Sequence, residues 1–237
     1  MCGEKMNKIT SNLLCLLLII SLCIITITSI KIGAQKIENN INLLGKTIYI
    51  DAGHGGRDNG ANNGNVLEDQ INLKISNYLY ELLIDAGAYV FVTRTGDYDL
   101  ASNYDKNRKR TDLIKRVEYI NRSNSDIFIS IHLNSFFSGE IRGAQVFHQQ
   151  NENSKLLANL LQEELNILTS DEKKVKLGDY YILNKSNISG VIVECGFLSN
   201  GEEKDKLLNN DYQMLLAKRI FNGIVEYFNN KVYLLNY

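Results

Sequence analysis

Short apolar runs alternate with amphipathic segments along most of this chain, and that alternation is the strongest constraint on its fold. Runs such as "KTIYID" at 46–51 and "DIFISIHL" at 126–133 have the length and the β-branched composition of buried strands. Between them, apolar residues recur at helical spacing, as at Ile71, Ile75 and Leu79. Strands that alternate with helices indicate right-handed crossovers. We therefore predict a single α/β domain with a mostly parallel, twisted sheet and helices on both faces.

The remaining elements follow from the same patterns. Further strands are predicted at "AYVFVT", "GAQVFHQ", "DYYIL" and "GVIVEC", and further helices at "SKLLANLLQEELNIL" and "DYQMLLAKRIFNGIVEYF". A helix over "TDLIKRVEYINRS" is expected to be capped by the hydroxyl of Thr111. The sequence shows no internal repeat, so we place one catalytic domain at 46–230 and a short C-terminal tail at 231–237.

The N-terminal segment differs from the rest of the chain. Residues 13–30 are almost wholly apolar and carry no charge. A helix of 18 residues spans roughly 27 Å, close to the ~30 Å hydrocarbon core of a bilayer. We therefore predict a transmembrane anchor within residues 1–34, followed by a linker at 35–45. The alternative is a signal peptide cleaved before Gln35, where "IGA" is a passable cleavage site. Either reading predicts that the following domain is exported.

Composition excludes several classes of function. The 237 residues are 44% hydrophobic and 22% charged, with a formal net charge of −1, which describes a globular domain with an ample core. No basic tract of the kind that binds nucleic acid is present, so we predict no nucleic-acid partner. Cys195 lies in the apolar run "GVIVECGF", where a cysteine is expected to be a small buried hydrophobe and not a nucleophile.

Four side chains that can bind a metal or carry a proton lie where predicted strands end or a helix begins. His54 lies in "DAGHGGRDNGANNG" directly after the first strand, and this glycine-rich segment matches neither nucleotide-binding fingerprint. His132 and Glu194 end two other strands, and Glu68 begins the first helix. Sites in open α/β sheets form at the carboxyl ends of the strands. We therefore expect these four side chains to converge at one rim of the sheet.

Two imidazoles and one carboxylate are a common ligand set for catalytic zinc, and a second carboxylate can take a proton from water. The residues alone leave open which glutamate, Glu68 or Glu194, has which role. Each residue also has a plainer interpretation: a histidine after a strand is often only hydrogen-bonded, and Glu68 would favour the positive end of its helix. His148 lies in a strand whose alternation lets it face either side, so we leave it out of the ligand set.

Five segments, taken in order and spacing, resemble the zinc-dependent N-acetylmuramoyl-L-alanine amidases of bacteria. They are "IYIDAGHGGRDNGA", "LED" followed by "NL", "VTR", "FISIHLN" and "VIVECGFLSN", and the resemblance extends over about 46–229. The resemblance implies one zinc ion held by His54, Glu68 and His132, with Glu194 as the catalytic glutamate. Asn134, two residues after His132, and Asn72, one helical turn after Glu68, are candidates for orienting a ligand or the substrate. Arg94 is a further candidate at a family position, as is Arg116, but for both we expect a buried or rim ion pair.

The implied reaction is hydrolysis of the amide between N-acetylmuramic acid and L-alanine in peptidoglycan. A short, membrane-anchored chain without wall-binding repeats is similar to the spore-cortex members of the family, which act during cortex maturation so that muramic lactam can form. That likeness implies a location outside the cytoplasm, between the spore membranes, and a possible lipoprotein partner that the sequence itself does not reveal. The alternatives are another exported zinc hydrolase, such as a peptidoglycan deacetylase, or a catalytically silent wall-binding module.

Overall fold

The computed structural model describes residues 19–22, 43–169 and 171–235. The chain divides into two compact units, Met1–Asn42 and Leu43–Tyr237. Residues 19–22 of the first unit are helical, and the rest of the predicted span at 13–30 lies outside the described residues. Among the residues that are described, no helix has the length and apolar character needed to cross a bilayer.

The second unit alternates strands and helices, as the sequence patterns predict. Its elements in the described residues are, in chain order, β1 (Thr47–Ala52), β2 (Asn62–Asn63), β3 (Val66–Leu67), α1 (Glu68–Asp85), β4 (Tyr89–Val92), α2 (Arg108–Arg122), β5 (Ile127–Asn134), β6 (Gln145–His148), α3 (Glu152–Asn166), β7 (Lys176–Leu177), α4 (Tyr181–Lys185), β8 (Gly190–Phe197), α5 (Gly201–Leu208) and α6 (Asn210–Leu235).

Six of these strands form one sheet in the order β4-β1-β5-β8-β6-β7. The four strands β4, β1, β5 and β8 are mutually parallel, while β6 runs antiparallel to β8 and parallel to β7. The predicted mostly parallel sheet is therefore confirmed. β2 and β3 form a separate antiparallel pair between β1 and α1.

Helices cover both faces of the sheet, as predicted. The sheet has one apolar core on each face, and alternate strand residues point to opposite faces. Ile129 packs into the larger core with α1, α3 and α6, whereas Phe128 packs into the smaller core with α2 and α4. The strands at the centre are apolar on both faces for this reason. Cys195 is fully buried in the larger core, which confirms its interpretation as a small hydrophobe.

The structure corrects two predicted elements. "DYYIL" is not a strand: α4 begins at Tyr181, and its helical turn lets the adjacent residues Ile182 and Leu183 both face the smaller core, which a strand would not allow. Thr111 is not the cap of α2. The side chain of Asn107 accepts a hydrogen bond from the Arg110 backbone N–H, so the helix begins one turn earlier.

The domain boundaries also differ slightly from those expected. Leu43 falls within the predicted linker, yet it is buried in the core and its N–H bonds to the carbonyl of Ala86. At the other end, α6 continues to Leu235 and includes most of the predicted tail. The folded unit is therefore longer at both ends than the apolar patterns alone indicate.

Candidate metal centre and active site

The four predicted site residues meet at the carboxyl end of the sheet. His54 follows β1, Glu68 opens α1, and His132 and Glu194 are paired residues of the neighbouring strands β5 and β8. Because β1, β5 and β8 are adjacent and parallel, the ends of all three strands lie at the same edge. The expected convergence is thus observed.

Two histidines and one carboxylate form a compact donor set at this edge. His54 Nε2 lies 3.3 Å from Glu68 Oε1, and His132 Nδ1 lies 3.0 Å from the same oxygen. One candidate ligand atom from each of the three residues lies within 4.8 Å of the other two. This spacing and this mixture of nitrogen and oxygen donors fit a divalent metal such as zinc.

Glu68 is held in place by several donors. Its Oε1 accepts hydrogen bonds from the Leu133 N–H at 3.0 Å and from Asn72 Nδ2 at 3.2 Å, and its Oε2 accepts one from the Ala61 N–H at 2.7 Å. Burial would raise its pKa, but the interactions with His132 and His54 outweigh that effect and hold the pKa well below its usual range. The carboxylate is therefore ionised and fixed, as a metal ligand must be.

The backbone at His54 adopts a conformation that few side chains tolerate. His54 has φ of 61°, in the left-handed region, and it lies between Gly53 and Gly55. A methyl group at Gly53 would overlap the His132 imidazole, and one at Gly60 would overlap the Glu68 carboxylate. The glycine-rich segment therefore brings the backbone close to two of the candidate ligands, which explains its composition.

Asp58 orients His54, and the sequence interpretation missed it. Its Oδ2 lies 3.0 Å from His54 Nδ1, which leaves Nε2 directed toward Glu68. Burial lowers the pKa of His54, but the bonds to Asp58 and Glu68 more than compensate and raise the pKa to about 9. A carboxylate behind a ligating imidazole fixes its tautomer. The four-residue spacing of Asp58 from His54 gave no signal, because such spacing brings side chains together only on a helix and this segment is not helical.

Glu194 has surroundings unlike those of Glu68. It is 7% exposed, and its Oε2 is buried without a hydrogen-bond partner in the described part of the chain. Burial raises its pKa to about 7. The negative charge of Glu68 also raises the pKa, while His132 and His54 lower it. A carboxyl group whose pKa lies near neutrality can both accept and return a proton.

A cavity of about 320 Å³ connects these groups. The three donor residues and Glu194 line it together with residues of α2 and of the segment at α4, among them Leu113, Tyr180 and Tyr181. The arrangement can therefore hold a metal, a substrate and a proton acceptor within one cleft.

The remaining predicted side chains lie in different environments. Asn72 contacts Glu68 and also donates to the Gly53 carbonyl at 3.3 Å. Arg94 is 2% exposed and donates to the carbonyls of Ala52 and Gly53, so it supports the end of β1 from behind and does not line the cavity. The Asn134 amide oxygen accepts from the Ser135 N–H at 2.8 Å, and its side chain does not line the cavity.

Two further polar side chains, Arg116 and His148, are buried. Arg116 forms a buried ion pair with Asp51 at 2.7 Å and donates to the His54 carbonyl at 2.6 Å, so it reinforces the glycine-rich segment. His148 is buried, and its Nδ1 lies 2.7 Å from the Gln149 carbonyl oxygen. Among the described residues, it is outside the metal-binding group.

The fold and the groups at its carboxyl edge define an α/β enzyme of the hydrolase class. Residues 48–226 match the family model for N-acetylmuramoyl-L-alanine amidase. The chain therefore belongs to the N-acetylmuramoyl-L-alanine amidase family and is a peptidoglycan amidase. The resemblance inferred from the five sequence segments is confirmed.

Individual relatives agree with this assignment. The germination-specific N-acetylmuramoyl-L-alanine amidase of Bacillus subtilis is 38% identical over 199 residues, which is 81% of this chain and 84% of that protein. The N-acetylmuramoyl-L-alanine amidase LytC of the same organism is 31% identical, and the match covers 82% of this chain but 38% of LytC.

Solved structures show the same fold. The CwlD amidase of Clostridioides difficile, solved in complex with the GerS lipoprotein, has a TM-score of 0.75 and 39% identity over 78% of this chain and 98% of that one. An N-acetylmuramoyl-L-alanine amidase from Clostridium difficile 630 has a TM-score of 0.71 and 29% identity, with 78% of this chain and 98% of that chain covered.

Proposed function

We propose that this chain hydrolyses the bond between N-acetylmuramic acid and L-alanine with one zinc ion held by His54, Glu68 and His132. The observation that carries the proposal is the donor set itself, with its ligand atoms within 4.8 Å of one another, beside a Glu194 carboxyl oxygen that has no partner among the described residues. When bound, zinc would polarise the amide carbonyl and lower the pKa of water toward ~7.

Glu194 acts as the general base and then as the general acid. Its unpaired Oε2 takes a proton from the attacking water, and the same oxygen returns that proton to the departing alanine nitrogen. Asp58 keeps His54 in one tautomer, and Asn72 keeps the Glu68 carboxylate oriented. The chain therefore supplies the proton transfer and the rigid ligand geometry.

The decisive experiment measures metal content and products together. The purified full chain is expected to contain one zinc per molecule and to release stem peptides with a free L-alanine amino group from peptidoglycan. Release of acetate instead would support the deacetylase alternative. Stoichiometric peptidoglycan binding without any product would support the silent wall-binding module, and either result would contradict the proposal.

We also propose a role in maturation of the spore cortex, carried out outside the cytoplasm and anchored through residues 13–30. The support is the likeness to the germination-specific Bacillus amidase and to CwlD, together with the apolar N-terminal segment. The CwlD amidase was solved in complex with the GerS lipoprotein, so a lipoprotein partner is part of this proposal. Normal muramic lactam in the cortex of a deletion strain would contradict the cortex role. Recovery of a soluble mature protein beginning at Gln35 would contradict the anchor.

A further inference from the structure

A second depression, which the proposed chemistry does not use, adjoins the catalytic cavity. This depression, of about 450 Å³, is lined by Asn107, Lys109, Arg110, Leu113 and Tyr181, and we call it the basic groove. Three of these residues, Lys109, Leu113 and Tyr181, also line the catalytic cavity. The two spaces therefore adjoin each other along these three residues.

The groove is positively charged within its own lining. Lys109 and Arg110 contribute two cations, and none of the described residues that line the groove carries a carboxylate. Lys109 is 68% exposed and its Nζ lies 3.5 Å from Asp58 Oδ2, at the boundary with the catalytic cavity. Within the described residues, no ion pair involves the guanidinium of Arg110, so its charge is available to a ligand.

The two parts of the substrate differ in charge. The glycan side offers hydroxyl and N-acetyl groups, which are neutral at the position of cleavage. The stem peptide is the leaving group, and its second residue is a γ-linked glutamate whose α-carboxyl group is either free or amidated. A groove with two cations and no carboxylate therefore complements the peptide side of the substrate and not the glycan side.

We propose that the basic groove binds the anionic stem peptide, with Arg110 and Lys109 facing the α-carboxylate of its second residue. Leu113 and the Tyr181 ring contact the aliphatic part of the same segment. This inference rests on the proposed amidase function and adds a specificity to it: the enzyme distinguishes stems with a free α-carboxylate from amidated stems. Arginine suits this role because its planar guanidinium pairs with both carboxylate oxygens.

Two muropeptides that differ only in amidation of that α-carboxyl group test the inference on the full chain. We expect wild-type kcat/KM to be higher on the free acid. Arg110→Gln should reduce kcat/KM on the free acid by roughly two- to fivefold, mainly through KM, and reduce it much less on the amidated substrate, because an exposed charge pair contributes modestly. The wild-type preference should also weaken at high salt.

Arg122→Gln is the matched control, since Arg122 is an exposed arginine in the last turn of the same helix and far from the groove lining. It should leave both substrates unaffected. Lys109→Gln is a second test variant, and its zinc content is measured as well because Lys109 contacts Asp58. It should retain zinc, and its kcat/KM should fall more on the free acid than on the amidated substrate.

Three outcomes would overturn the inference. They are equal wild-type rates on both substrates, no change in Arg110→Gln, or an equal loss on both substrates. A wild-type enzyme that cleaves neither muropeptide would instead contradict the proposed function. These results therefore distinguish failure of the basic-groove proposal from failure of the proposed amidase function.

Discussion

Glu68 and Glu194 are chemically identical side chains in one cleft, yet their surroundings favour opposite charge behaviour. Glu68 receives backbone and side-chain donors on both oxygens, which favours the ionised form. Glu194 has a buried oxygen with no partner in the described part of the chain, which favours the protonated form. Environment, and not residue type, therefore separates the proposed ligand from the proposed base.

Conservative substitutions test this division. Glu194→Gln keeps the shape but cannot accept a proton, so we expect it to retain zinc and to lose activity on the order of 10²–10⁴-fold. Glu68→Gln should lose zinc, because an amide oxygen is a poorer ligand than a carboxylate. Metal analysis beside amidase assays measures both effects. Loss of zinc in Glu194→Gln with retention in Glu68→Gln would reverse the assignment.

At the residue scale, the sequence predicts which side chains meet but not how they are oriented. His54, His132 and Glu194 could be placed because each lies at a strand end, and parallel strands bring their carboxyl ends together. The role of Asp58 depends on the left-handed backbone at His54, which turns the imidazole toward it. Arg94 is buried, and its guanidinium turns inward to the backbone carbonyls of Ala52 and Gly53, a direction that nothing in "VTR" shows.

At the scale of elements, β1 and α2 are joined by a buried ion pair. Asp51 accepts hydrogen bonds from Thr93 and Ser130 as well as from Arg116. Burial would raise the pKa of Asp51, but Arg116 and these hydroxyl groups outweigh it and lower the pKa to about 2. Arg116 also donates to the backbone of His54, so this pair connects helix, strand and candidate site.

Asp51→Asn should therefore destabilise the protein in a pH-dependent way. Removing one member of a buried pair costs about 3 kcal/mol of unfolding free energy near pH 6. The native pKa is lower than that of an unfolded aspartate, so the contribution is present above about pH 4 and is lost as the pH falls toward 2. Urea unfolding of both proteins from pH 6 to pH 2 measures the difference, which should narrow on acidification. A constant difference over that range would contradict the assignment of charge to Asp51.

The two element-scale errors have different origins. Apolar runs identified β1, β5 and β8 because buried parallel strands are apolar on both faces. The run "DYYIL" has the same composition, but Gly178 allows a close turn, where a methyl group would overlap Leu183, and the chain continues as a helix. The start of α2 was placed too late because its first turn is wholly charged and shows no periodicity.

For the whole molecule, the proposed zinc site joins segments that are far apart in sequence, so metal binding should stabilise the entire domain. A ligand present at 100 times its dissociation constant adds about 2.7 kcal/mol to the native state. For a domain of this size, removal of zinc by a chelator should then lower Tm by about 5–10 °C. Differential scanning calorimetry measures this shift.

The three histidines supply the variants and the control for that measurement. His54→Ala and His132→Ala should have a lower Tm that no longer responds to the chelator. His148→Ala should keep the response, since His148 lies outside the donor group. An undiminished chelator response in both ligand variants would remove these histidines from the proposed metal site.

The position of Glu194 on β8 also determines when during synthesis the enzyme can become active. β8 is the last strand of the sheet to be made, and it pairs with β5 at the centre. Pairing between segments so distant in sequence slows folding. A growing chain carries all three proposed ligands before it carries the proposed base. The proposed proton transfer therefore has to wait until β8 has been made and has paired with β5.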